Sequence, residues 1–318
     1  MTAKVKCGKI KFKGARNILL SVILTTAVFM AAIYLSDDLS GYVEEALLLS
    51  ARVIIPSVFP FLILTEIISP HLHFEAVKPI FTLFERVFKI NGTAIPIFVC
   101  GVLCGFPIGA KMAYDAYRRG ALSRDECERL MAFASNAGPS YVISAVGATA
   151  RGSVIDGIIL YISMIAGSVI TGVVIGIGKR KSALSKLNIE QKRSFVDIVK
   201  SSATISINIC AFICTFGIFI GLAKIIFPNK AFRAILISVL EVGNASVYLA
   251  NEGGISPFLS LLITSFAISF SGLSVIFQTL SIQDRDDRID TGTYLTRKVI
   301  QGVISALVTM IIYLITVG

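Results

Sequence analysis

The sequence predicts an all-α membrane protein that crosses the bilayer many times. Of its 318 residues, 55% are hydrophobic, and the mean hydropathy is +0.80. A soluble domain has a smaller apolar share, even when glycine is counted. Stretches near the ~20 residues that a spanning helix needs are 17–35, 46–69, 95–117, 130–149, 154–178, 204–227, 232–250, 257–280 and 299–317. We therefore expect eight or nine hydrophobic segments in one transmembrane domain, 17–318, with no soluble domain between them.

The N-terminal region combines a basic tail, residues 1–16, with the first apolar stretch. No small-x-small cleavage site precedes Ser36, so we expect an uncleaved first helix with a cytoplasmic N-terminus. A second basic cluster begins at Lys179 and extends to Lys200. Because basic loops remain cytoplasmic and attract anionic lipid, the net charge of +10 indicates membrane topology rather than nucleic-acid binding.

The number of segments between the two basic clusters constrains the topology. An even number of crossings must separate two clusters on one side, yet five apolar segments lie between them, so one should not cross. We predict a re-entrant hairpin at 46–69, because Pro56 and Pro60 each remove a backbone donor from a helix there. This choice places Arg118 and Arg124 on the cytoplasmic side. It places 283–298 on the opposite side.

Two runs of helix-breaking, hydrogen-bonding residues lie 134 positions apart, at 135–140 and 269–274. Gly109 and Gly243 have the same spacing. At bilayer depth, broken helices are tolerated where they are buried in protein or line a wet cavity, and paired interruptions are typical of transporter sites. The sequence therefore predicts two internal repeats, 95–149 and 232–280, with broken or re-entrant helices. Their relative orientation stays open.

The candidate solute site combines these interruptions with nearby polar side chains. Its residues are Gly105, Pro107, Gly109, Lys111, Ser135, Asn136, Gly138, Pro139, Ser140, Glu241, Asn244, Ser271, Gly272, Ser274 and Gln278. Lys111 either faces a cavity or extends to the interface. Glu241 either pairs with Lys111 or carries a coupling cation or proton. Helix N-termini and a lysine favour a small planar or carboxylate-bearing solute.

Motifs of catalysis and cofactor binding are absent from the sequence. It contains no nucleophile with a base, no phosphate loop, no dinucleotide fingerprint and no HExxH. Cysteine pairs at i, i+4, such as Cys100 and Cys104, are expected to pack between helices rather than bind metal. We expect no enzymatic activity, no cofactor and no metal.

A family resemblance rests on the order of the motifs at 56–61, 105–111, 120–123 and 135–139. This order resembles that of the YlbJ-type sporulation integral membrane proteins, which belong with the nucleoside-recognition, or gate-domain, membrane proteins. The second half agrees at 240–243 and 271–278, so the resemblance runs from about residue 46 to the C-terminus.

This resemblance implies a role in endospore formation, in the mother-cell-derived membrane around the forespore. It also implies movement of dipicolinic acid, a planar pyridine dicarboxylate. By the same resemblance, 105–111 and 135–140 would face Glu241 and 271–278.

Two functional hypotheses remain at the level of sequence. In the first, the protein is a transporter or channel for a small organic anion, with Lys111 as the counter-charge. In the second, it is a membrane scaffold or assembly factor whose polar motifs only pack helices. Its partners would then be further copies of the chain or other sporulation membrane proteins.

Overall fold

Helices form the whole secondary structure of the described residues, and no strand occurs among them. The computed structural model describes residues 26, 30, 33–68, 78–181, 194–251 and 255–317. The predicted basic tail, nearly all of the segment 17–35, and residues 182–193 of the second basic cluster lie outside them. Five described helices are long and apolar enough to span a membrane: Ser36–Ile68, Val154–Gly176, Phe195–Ile226, Pro257–Ser281 and Thr291–Thr316.

The helices are numbered here in chain order through the described residues. They are α1 (Ser36–Ile68), α2 (Lys78–Phe88), α3 (Ala94–Cys104), α4 (Ile108–Arg118), α5 (Arg124–Ala134), α6 (Ser140–Ala150), α7 (Val154–Gly176), α8 (Phe195–Ile226), α9 (Lys230–Leu240), α10 (Val242–Asn251), α11 (Pro257–Phe270), α12 (Gly272–Ser281) and α13 (Thr291–Val317).

The first long helix, α1, continues through both of its prolines, so the predicted hairpin at 46–69 is wrong. A π-helical stretch, Ser50–Ile54, precedes Pro56. The Ser57 hydroxyl donates to the carbonyls of Val53 (2.7 Å) and Ile54 (3.0 Å). Local π geometry and serine hydroxyls satisfy backbone groups that a proline leaves free, which allows the helix to cross without reversing.

A helical hairpin occurs instead at α3–α4, within the segment 95–117 that was expected to cross. The chain reverses at Gly105, whose φ of +86° lies in the left-handed region. Gly101 and Gly109 then lie against each other and against the carbonyl oxygen of Ala134, which a Cβ at either position would overlap. The absence of side chains at these two glycines lets α3, α4 and α5 approach closely.

The helix pair α5–α6 is interrupted at residues 135–139, as the sequence predicts for this run. Ser135 has an extended backbone (φ −85°, ψ 93°). The interruption packs on the turn of the α3–α4 hairpin, since a Cβ at Gly105 would lie 3.0 Å from the Gly138 nitrogen. Two breaks in the backbone therefore meet each other directly.

The second half contains the same order of elements. Helices α9 and α10 fold back on each other around Glu241, which brings the Arg233 guanidinium to 5.9 Å from the Tyr248 ring centroid. Helices α11 and α12 are separated by Ser271 and Gly272, with φ of 80° and 71°. A Cβ at Gly272 would lie 3.1 Å from the Val242 nitrogen, so these two interruptions also meet.

At one end of the helix bundle, here called the Lys179 end, described basic residues pair with acidic residues of other elements. Lys179 pairs with Asp125 (3.0 Å) and Arg118 pairs with Asp284 (3.1 Å). The expectation that 283–298 lies on the opposite side is therefore wrong, because Asp284 is beside Arg118. Burial alone would raise the pKa of Asp125, but hydrogen bonds from Lys179 and Arg129 bring that pKa below its ordinary value.

The other end, here called the Arg151 end, joins α6 to the start of α11. Arg151 donates to the Ser260 hydroxyl (3.0 Å), and that hydroxyl donates to the carbonyl of Leu249 (2.7 Å) near the end of α10. The hairpin α9–α10 thus opens toward the Arg151 end, whereas α3–α4 opens toward the Lys179 end. The two halves run in opposite directions through the bundle.

Gly109→Ala tests the close packing at the first hairpin. The added methyl group would meet the Ala134 carbonyl, and we expect a loss of about 1–3 kcal/mol in stability. Gly41→Ala is the matched control, since a Cβ there meets no atom within 4 Å. Thermal unfolding in detergent measures both variants. Equal stability of Gly109→Ala and the wild type would contradict the packing described.

The opposite orientation of the halves predicts the sidedness of introduced cysteines. In a cysteine-free background, Asp286→Cys and Lys181→Cys should react with an impermeant maleimide from the same side of oriented vesicles. Asn251→Cys should react from the other side, because it ends α10. Labelling of positions 286 and 251 from one side would refute this topology.

Candidate functional site

A cavity lies where the interruptions of both halves meet. It encloses about 620 Å³, including its open mouth. The lining residues come from both hairpins, both broken helices, α1 and α8. They are Ile54, Ser57, Val58, Cys104, Gly105, Phe106, Ala137, Gly138, Ser140, Tyr141, Ile209, Ile213, Glu241, Val242, Gly243, Val275 and Gln278.

Five of the residues expected at the site line this cavity: Gly105, Gly138, Ser140, Glu241 and Gln278. They come from sequence positions up to 173 residues apart, and each belongs to or follows an interruption. Gln278 also lines a smaller adjoining pocket of about 170 Å³, together with Pro107 and Asn208. The interruptions thus surround one space rather than several unrelated ones.

Glu241 is the one charged residue among the described residues that line the cavity. Its carboxylate accepts hydrogen bonds from the backbone nitrogens of Gly243 (2.8 Å) and Asn244 (2.6 Å), and from the Asn244 side chain (3.0 Å). A carboxylate at a helix N-terminus pairs with free amides and with the positive end of the helix dipole. Glu241 therefore caps α10 and, with its remaining acceptor capacity, faces the cavity.

Tyr141 joins the two halves beside the cavity, and the sequence analysis missed it. Its hydroxyl donates to the carbonyl of Val242 (3.0 Å) and lies 3.3 Å from the Ser246 hydroxyl. The available signal was its position, directly after the predicted interruption at 135–140. A tyrosine in this place supplies an aromatic wall and a hydroxyl that holds the two interruptions together.

Lys111 does not line the cavity and does not contact Glu241. Its ammonium pairs with Glu66 (2.9 Å) and Asp115 (2.7 Å), and the Ser201 hydroxyl donates to Glu66 (3.1 Å). The lysine and Glu66 side chains are 6% and 7% exposed, so the lysine does not extend to the surface either. This buried ion cluster joins the first hairpin to α1 and α8.

Ser135 and Asn136 are buried behind the cavity wall and do not line it. The carbonyl of Ser135 accepts from Lys298 (2.8 Å), and the Asn136 amide group accepts from Gln301 (2.8 Å) and donates to Ser168 (3.1 Å). These bonds satisfy the groups that the interruption leaves free. Both residues thus fasten the broken helix to α7 and α13.

Lys298 is the other residue that the sequence analysis missed. The last apolar segment was expected to begin at 299, which left Lys298 in a loop. Helix α13 begins at Thr291 instead, so the lysine lies about two turns inside it and is fully buried. Its spacing from Gln301 puts both side chains on one helix face, and that spacing was the available signal.

The remaining expected residues shape the interruptions without lining the large cavity. Gly109 packs on Ala134, and Pro139 precedes α6. Ser271 and Gly272 make the turn between α11 and α12, and the Ser274 hydroxyl accepts from Gln278 (3.2 Å). Their contribution to the site is the backbone geometry.

The cavity combines mostly apolar walls with nearby helix N-termini. Phe106, Tyr141 and several aliphatic side chains form apolar walls. The N-termini of α4, α6 and α12 have no side-chain cap, so their amides and dipoles favour hydrogen-bond acceptors nearby. Across the described ranges, no cluster of three His, Cys, Asp or Glu residues could hold a metal ion.

Comparison with known proteins finds one distant relationship of note. The chain is 24% identical over 308 residues to the Sporulation integral membrane protein YlbJ of Bacillus subtilis (strain 168). The alignment covers 82% of this chain and 74% of that protein, which supports a distant family relationship between two membrane proteins. No family model matches the chain, and no solved structure matches it.

Lys111→Met should destabilise the protein, because two carboxylates would then face each other without a cation. We expect a loss of about 3–5 kcal/mol, the range for breaking a buried ion pair by removal of one partner. The double variant Lys111→Met/Glu66→Gln should recover most of that loss. Thermal unfolding in detergent measures both. A Lys111→Met variant that is stable but inactive in transport would contradict this structural role.

Proposed function

We propose that this protein is a membrane transporter or channel for a small organic anion, which passes through the cavity between the two halves. The observation that carries the proposal is that three of the four described helix interruptions line one cavity, while the fourth, at Gly272, packs against the wall residues Glu241 and Val242. Interrupted helices at bilayer depth expose backbone groups that cost several kcal/mol when unpaired, so they are expected where a solute is bound.

The arrangement of the two halves supports a transport cycle. We propose that 95–149 and 232–280 are inverted repeats, since they contain the same order of elements and run in opposite directions. Hairpins that open toward opposite ends of the bundle can act as gates for opposite sides of the membrane. The cavity between them would then be reached from one side at a time.

The proposed solute is suggested by the relative and by the residues that line the cavity. A role in endospore formation is proposed because the relative is named as a sporulation protein. Dipicolinate is the candidate solute, on the resemblance to the YlbJ-type proteins. Its planar ring suits walls that include Phe106 and Tyr141.

The proposed location is the mother-cell-derived membrane around the forespore. The Lys179 end would face the cytoplasm, because basic loops are retained there and attract anionic lipid. The N-terminal tail would be on that side as well. Homo-oligomers or other sporulation membrane proteins remain the proposed protein partners.

Uptake into liposomes and protection of a native cysteine test the proposal together. Purified protein in liposomes should take up labelled dipicolinate in a saturable manner. Cys104 lines the cavity and is half-buried, so a thiol reagent should modify it more slowly, by several-fold, when dipicolinate is present.

A variant that retains only Cys214 is the matched control, because this half-buried cysteine on α8 does not line the cavity. Its labelling rate should not change with dipicolinate. Folded protein that moves no solute and shows no protection of Cys104 would favour the scaffold or assembly role instead.

A further inference from the structure

The cavity presents a charge problem for an anionic solute. Its one charged lining residue in the described part of the chain is Glu241, a carboxylate, which would repel an organic acid. An anion in a low-dielectric site needs a fixed positive charge close by, because the energy of an unbalanced charge rises steeply as the dielectric constant falls. No lysine or arginine is among the described lining residues.

Most of the buried cations near the interruptions are already neutralised by carboxylates. Lys111 pairs with both Glu66 and Asp115. Arg129 pairs with Asp125 (2.9 Å), and the largely buried Arg151 pairs with Asp156 (2.9 Å). Each of these groups contributes little net positive potential at the cavity.

Lys298 differs from these cations in its partners. It is fully buried, and its ammonium donates to two neutral oxygens, the carbonyl of Ser135 (2.8 Å) and the side chain of Gln301 (2.7 Å). Within the described residues, no carboxylate lies within ion-pair distance of it. The Ser135 carbonyl is at the C-terminal end of α5, where the negative end of the helix dipole also favours a cation.

Lys298 is also close to the cavity wall. It holds Ser135, and the wall residues Ala137 and Gly138 follow two and three positions later. Because consecutive Cα atoms are about 3.8 Å apart, the ammonium is at most roughly 10–15 Å from these two wall residues. At an effective dielectric constant of about 20, one unit charge at that distance changes binding of another roughly tenfold.

We propose that Lys298 determines the charge selectivity of the cavity, by supplying positive potential from behind the α5–α6 interruption without contact with the solute. This inference rests on the proposed transport of an organic anion. It assigns to Lys298 the counter-charge role that the sequence assigned to Lys111. Lys298 also offsets the negative charge of Glu241 at the same site.

A charge series of solutes with one ring shape tests the inference. The three probes are dipicolinate, its monoamide and pyridine-2,6-dicarboxamide, with two, one and no negative charges. For Lys298→Met in liposomes, the KM of uptake should rise roughly 100-fold, 10-fold and less than 2-fold, respectively. Lys298→Arg retains the charge and should stay within about 3-fold of the wild type for all three. Lys230→Met removes an exposed lysine at the start of α9 and should change nothing.

An equal rise in KM for all three solutes would mean that Lys298 only supports the fold. Unchanged KM values would mean that its charge does not affect solute binding. Either result overturns the inference. If Lys298→Met does not fold, Lys298→Gln replaces it, because an amide can still donate to the Ser135 carbonyl.

Stabilisation of the purified protein by the three solutes, measured as a Tm shift, separates this inference from the transport proposal. Charge-dependent stabilisation that Lys298→Met loses, without any uptake by the wild type, would support the inference and refute transport. Uptake with the same charge preference in the wild type and in Lys298→Met would support transport and refute the inference. No stabilisation and no uptake by the wild type would refute both.

Discussion

The structure depends on one constraint: every backbone group freed by a helix interruption at bilayer depth must find a partner inside the protein. The chain satisfies this constraint in a different way at each interruption. Ser57 donates to carbonyls beside Pro56, Glu241 accepts from the first amides of α10, and Lys298 donates to the Ser135 carbonyl. These partners permit broken helices where an uninterrupted bundle would otherwise be more stable.

The cavity follows from how the interruptions pack. Gly105 rests on Gly138 in the first half, and Gly272 rests on the Glu241–Val242 backbone in the second. Tyr141 then connects the halves through Val242. Because backbone rather than side chains fills these contacts, room is left beside them. That space is lined by residues from both halves, as the proposed transport function requires.

The buried charged residues of this protein include two groups, those in the Lys111 ion cluster and those at the ends of interrupted helices. Lys111, Glu66 and Asp115 hold the first hairpin against α1 and α8, and they neutralise one another largely within the cluster. Glu241 instead caps the N-terminus of α10 and Lys298 caps the C-terminus of α5, and neither forms an ion pair with another described residue. A carboxylate at a helix N-terminus and an ammonium at a helix C-terminus are each stabilised by the helix dipole. Under the proposal for Lys298, charges without an ion-pair partner influence the neighbouring cavity more than paired charges do.

The sequence by itself determined the all-helical membrane class and the interruptions within 135–140 and 269–274. Hydropathy and the preferences of glycine and proline are local properties, so they can be read from neighbouring residues. Only the tertiary structure decided that α1 is one continuous helix while 95–117 reverses, that Asp284 lies beside Arg118, and that Lys111 pairs with Glu66 and Asp115. An apolar segment has the same hydropathy whether it crosses or turns back. The partner of a buried charge, such as Lys298 for Ser135, is chosen by contacts between distant parts of the chain.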